Sequence, residues 1–81
     1  MSKQVDIEYF AILREQRGVA REKIMTGAAD AAILYEELRT RHHFTLPMAS
    51  LRVAINGEFA PWTAKVFDGD DIVFLPPVAG G

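Results

Sequence analysis

At 81 residues, 49% of them hydrophobic, the chain can fill one compact core but not two, and so small a domain has little surplus stability to hold a catalytic cleft of its own. A formal net charge of -2 without any basic stripe argues against nucleic acid, and the absence of cysteine removes disulfides, thiolate metal sites and cysteine nucleophiles together. No apolar run reaches membrane-spanning length and the start Met1-Ser2-Lys3-Gln4-Val5-Asp6 lacks a signal-peptide core, so the expectation is a soluble, cytoplasmic protein with no membrane partner.

Val5, Ile7 and Tyr9 alternate with Asp6, Glu8 and Phe10, which predicts a first strand running to about Phe10 with one face on a core. Residues 11–17 are helix formers that stop at Gly18, which predicts a short helical turn. Residues 21–26 then return as a second, more exposed strand beside the first. Asp30 can cap the helix that follows, in which Ala31, Leu34, Tyr35 and Leu38 form one apolar stripe. Arg39, Arg41 and His42 fall in its last turn, where positive charge complements the exposed carbonyls, and residues 44–47 end it.

Residues 51–55 alternate again, and Asn56-Gly57 is a strong hairpin signal because both residues tolerate positive φ; residues 58–60 make the brief return strand. The cluster Asp68-Gly69-Asp70-Asp71 predicts a turn, and the continuously apolar residues 72–75 read as a central strand. Strand, strand, helix, strand, short strand, strand is the β-grasp order: an α+β fold in which a mixed sheet packs on one main helix and the first and last strands run parallel. Residues 1–75 are then the domain, and residues 76–81 are a tail leaving the middle of the sheet.

That tail carries the candidate chemistry. Gly80 and Gly81 lack Cβ and can thread a narrow channel, while Pro76-Pro77 keep the preceding segment extended, so the Gly81 carboxylate suits entry into another protein's active site. Terminal glycines can also be without a role, and the prolines tilt the reading toward function. Strand alternation puts Leu75 and Phe10 on the face away from the helix, with Phe59 joining them; either they form a docking surface, or a loop covers them as ordinary core. Trp62 is open to the same two readings. His42 and His43 point about 100° apart on a helix, which suits exposed helix-end residues better than a shared metal. The aspartate cluster lacks the spaced ligands of a calcium loop, and Arg14 with Glu15, or Glu36 with Glu37, read as solvated helix faces.

The stretch from Val53 to Gly81, with Ala54-Ile55-Asn56, Asp68-Gly69-Asp70 and Phe74-Leu75-Pro76-Pro77-Val78-Ala79-Gly80-Gly81, resembles the small, sulfur-carrying subunit of molybdopterin synthase. Tyr9-Phe10-Ala11-Ile12-Leu13-Arg14-Glu15 resembles that family's opening strand and short helix. Lys65-Val66, where members often carry proline and leucine, and Trp62 depart from the pattern.

The resemblance implies a ubiquitin-like fold whose Gly81 carboxylate is adenylated with ATP by a partner related to ubiquitin-activating enzymes. A sulfur donor protein then converts it to a thiocarboxylate, which delivers sulfur to cyclic pyranopterin monophosphate inside the large synthase subunit. Catalytic groups are expected on that subunit, so this chain is implied to be a non-catalytic member of a hetero-oligomer with no bound cofactor or metal. Gly81 is the implied acyl carrier. Gly80, Ala79, Val78, Pro77 and Pro76 with Phe10, Phe59 and Leu75 are the implied partner contacts. Sulfur carriage for thiamine or tRNA thiolation, conjugation through Gly81 as a protein modifier, and a plain interaction module are the alternatives.

Overall fold

The computed structural model describes residues 2–77. Its elements are β1 (Lys3–Tyr9), α1 (Ile12–Arg17), β2 (Arg21–Thr26), α2 (Ala31–His42), a 3-10 turn (Met48–Ser50), β3 (Arg52–Ile55), β4 (Glu58–Ala60) and β5 (Asp71–Leu75). The strands form one sheet in the order β2-β1-β5-β3-β4. β1 runs antiparallel to β2 and parallel to β5, so the last strand sits at the centre as its unbroken apolar run predicted.

The register separates the two faces of the sheet. Tyr9 stands opposite Phe74, Ile7 opposite Ile72, and Val53 opposite Phe74 on the other flank, and all five side chains are buried beneath α2. The helix contributes Ala31, Leu34, Tyr35 and Leu38, the predicted stripe, each fully buried. Asp30 caps it by accepting from the Ile33 amide at 2.9 Å. His43 caps it in the left-handed conformation, so the helix ends at His42, ahead of Phe44.

The turns follow from residues that accept positive φ. Asn56 (φ 53°) and Gly57 (φ 87°) join β3 to β4, the pair of values a type I′ hairpin turn requires. Gly18 (φ 89°) closes α1 by donating its amide to the Arg14 carbonyl. The aspartate-rich turn is a lock on β5: Asp70 is buried and accepts from the Phe67 amide at 2.8 Å and from Asn56 Nδ2 at 2.9 Å. Asn56 Oδ1 accepts in turn from the Asp71 amide, so the β3–β4 hairpin and the start of β5 hold one another in place.

Trp62 belongs to the core side. Its ring stacks on Phe74 at 6.0 Å and lies 5.9 Å from Tyr35, half-buried under the start of α2, where its carbonyl accepts from the Ala32 amide. No helix among the described residues is long and apolar enough to cross a membrane.

Candidate partner-docking site

The face of the sheet turned away from α2 divides into two halves. Over β2 and β1 it is charged: Lys23 pairs with Asp6 at 3.1 Å, and Arg21 reaches Glu8 at 3.2 Å and Asp71 at 3.5 Å. Over β4, β3 and the C-terminal part of β5 it is apolar apart from Arg52. The register aligns Val73 with Ala54, and Ala54 with Phe59, in one row across three strands. Only part of the open face is therefore the apolar surface expected from alternation.

At the end of this row a groove of about 390 Å³ runs beside the last residues of β5. Phe59, Leu75, Pro76 and Pro77 line it together with Leu51 and Arg52. Phe59 is 61% exposed, so no loop covers it and the reading of this residue as covered core does not hold. Leu75 and Pro76 are half-buried and Pro77 exposed. Phe10 follows Tyr9, the residue in register with Phe74, and is 39% exposed at the foot of α1. Ala11, at φ 52°, turns the chain sharply away just after it. Phe10 does not line the groove itself. The expectations for Val78, Ala79, Gly80 and Gly81 lie outside the described residues; what the structure supplies is the direction in which β5 hands the chain to them.

Arg52 was not singled out from the sequence. Its Cζ sits 4.1 Å from the centroid of the Phe59 ring, and it stands in register with Leu75 at the edge of the groove. Strand register was the only signal that could have found it, because Arg52 and Leu75 are far apart in the chain.

The strongest electrostatic cluster lies elsewhere, where α1, β2 and the end of α2 meet. Arg17 binds the Glu22 carboxylate through Nε at 2.8 Å and Nη2 at 2.7 Å, and the Tyr9 hydroxyl donates to the same carboxylate at 2.6 Å. Those hydrogen bonds, Arg17's foremost, hold the Glu22 carboxyl below the usual range, while burial and then Glu22 push the Tyr9 phenol up. His42 corrects an expectation: it is packed on Phe44 at 5.6 Å with 14% of its side chain exposed, 3.9 Å from Glu22, and burial lowers its pKa. The loop after α2 folds back under the helix, which covers a residue that lies at the helix end in sequence. Glu37 likewise is no free surface group, since it accepts from the buried Thr26 hydroxyl at 2.6 Å. Among the described residues, no three histidine, aspartate or glutamate side chains are grouped as metal ligands.

Compared with known proteins, residues 7–81 match the model of the ThiS family. The chain belongs to the ThiS family. This ThiS-family chain is 34% identical to the molybdopterin synthase sulfur carrier subunit of Haemophilus influenzae, over 95% of its own length and 99% of that protein's. Among solved structures it is similar to a Pyrococcus furiosus chain described as subunit 1 of a molybdopterin converting factor, with a TM-score of 0.76 and 30% identity over 94% of this chain and 99% of that one. It is also similar to a chain from a Helicobacter pylori complex of subunits 1 and 2 of that factor, with a TM-score of 0.64 and 25% identity, covering 96% and 99%. The fold extends to a ubiquitin of Caldiarchaeum subterraneum, at a TM-score of 0.65 and 17% identity over the whole of both chains. The ubiquitin-like β-grasp expected from the order of elements is thus the fold this ThiS-family chain has.

Proposed function

We propose that this chain is the sulfur-carrying subunit of a molybdopterin synthase, with Gly81 as the residue that bears the sulfur. The observation that carries the reading is the end-to-end similarity to the Haemophilus influenzae sulfur carrier subunit, at 34% identity. The geometry is consistent with it: β5 is the central strand, and its end opens beside an exposed apolar groove rather than into the core.

The chemistry needs two activations. A carboxylate is a poor electrophile, so an adenylating partner transfers the AMP group of ATP to Gly81 and releases pyrophosphate. The terminal sulfur of a donor persulfide attacks the acyl carbon and AMP leaves as the C–O bond breaks. Reduction of the resulting acyl disulfide by a thiol frees the thiocarboxylate. The large synthase subunit supplies the groups that move this sulfur to cyclic pyranopterin monophosphate, and water restores the Gly81 carboxylate. The chain itself contributes a slender arm, holds no cofactor, and works in the cytoplasm with the large subunit, the adenylating enzyme and the sulfur donor. Phe10, Phe59, Leu75 and Pro76 to Gly80 are its contacts in this scheme.

Co-purification from the native cell tests the pathway. A stable complex with a large pterin-site subunit is expected, and recovery with a thiazole synthase instead would contradict the assignment.

A further inference from the structure

The groove beside β5 carries a charge that the fold does not use. The cations over β1 and β2 have partners: Lys23 has Asp6, and Arg21 has Glu8 and Asp71. Arg52, on the same face, makes no ion pair among the described residues. Its guanidinium instead lies over the exposed ring of Phe59. The ring shields the guanidinium on one side, and its N–H groups make no side-chain hydrogen bond among the described residues, so they remain available for a planar acceptor. A carboxylate matches that edge with two parallel hydrogen bonds. The neighbouring surface is apolar, made by Phe59, Leu75 and Pro76. Register with Leu75 places this cation where the chain leaves the sheet.

We propose that Arg52 is a specificity-determining residue of the docking surface, and that the groove takes a segment of the large synthase subunit carrying an acidic side chain next to an apolar one. The carboxylate engages the stacked guanidinium while the apolar neighbour fills the space between Phe59 and Leu75. This deepens the carrier reading and rests on it. Docking removes water from both charges, a cost that the paired carboxylate offsets through its two hydrogen bonds, and a partner without the acid leaves Arg52 covered and unpaired. The fold loses little without Arg52, because its side chain is exposed.

Affinity for the large subunit of the native host's molybdopterin synthase, titrated against the full chain over a range of salt concentrations, tests the proposal. Arg52→Ala is expected to weaken the complex at least about tenfold and to flatten its salt dependence, and Arg52→Glu to weaken it about a hundredfold, with melting temperatures unchanged. Arg52→Lys, which keeps charge and loses the planar fork, falls between Ala and wild type. Wild-type affinity and salt dependence in Arg52→Ala would overturn the proposal and leave the carrier reading standing. Sedimentation showing that the chain alone dimerises through this groove would also overturn it. Failure of the wild-type chain to bind the large subunit would sink both.

Discussion

Arg17 grips Glu22 with two hydrogen bonds, of 2.8 and 2.7 Å, and so ties the end of α1 to the start of β2. α1 has only six residues, too few to be stable alone, so this tie and the burial of Leu13 hold it on the sheet. Both partners are less than a third exposed, which lifts the pair above a solvated surface bridge. Glu22→Gln keeps an acceptor for the Tyr9 hydroxyl but loses the charge. It is expected to cost about 1–2 kcal/mol, read as a lower midpoint in urea with an unchanged slope.

The same cluster sets a pH dependence. His42 has a folded pKa below its usual 6.5, so below that pH the unfolded chain takes up a proton that the folded chain resists, and stability falls with pH. Glu22, depressed from 4.5, adds a second loss as pH falls from there through its folded value. Tyr9 acts in the opposite sense, because its raised pKa gives stability that is lost as pH rises past 10.0. Urea titrations across pH are expected to show both acid steps, and His42→Gln is expected to remove only the step beginning near pH 6.5.

Much of this was legible in the chain because local pattern and global fold agree. The period of two in Val5, Ile7 and Tyr9, the stripe on α2, the Asp30 cap and Asn56-Gly57 each specify their element without help from distant residues. What stayed hidden depends on contacts between elements. His42 reads as a helix-end residue until Phe44 folds back against it, Trp62 is ambiguous until its ring meets Phe74, and Arg52 looks like any strand charge until β4 brings Phe59 beneath it. Alternation was applied alike to Leu75 and Phe10: Leu75 lies within β5 and lines the groove with Phe59, whereas Phe10, just beyond the end of β1, escapes the rule.

Asp70 ties the turn before β5 to the β3–β4 hairpin. Asp70→Ala strips acceptors from the Phe67 amide and Asn56 Nδ2 and leaves partly buried donors unpaired. The expected loss is about 1–3 kcal/mol, with hydrogen exchange accelerating first at the start of β5. Exchange rising evenly over the whole sheet would contradict this local role.

Two phenylalanines on opposite faces separate folding from docking. Phe74 is fully buried against Tyr9, Tyr35 and Trp62, so Phe74→Ala is expected to cost about 3–5 kcal/mol, a large share of what so small a domain has. Phe59→Ser, at an exposed site, is expected to change stability by less than about 0.5 kcal/mol while weakening capture of the large subunit. Thermal melts and pull-downs of the two variants check the contrast, and a strong loss of stability in Phe59→Ser would mean that Phe59 serves the core.

The central claim is that Gly81 carries sulfur. Intact-mass analysis of the chain isolated from its native cell, followed by fragmentation of the C-terminal peptide, tests it most directly. The expected result is a fraction in which one oxygen of Gly81 is replaced by sulfur, vanishing when the adenylating partner is deleted. A Gly81 joined to a lysine of another protein, or unmodified in every preparation while molybdoenzymes remain active, would contradict it.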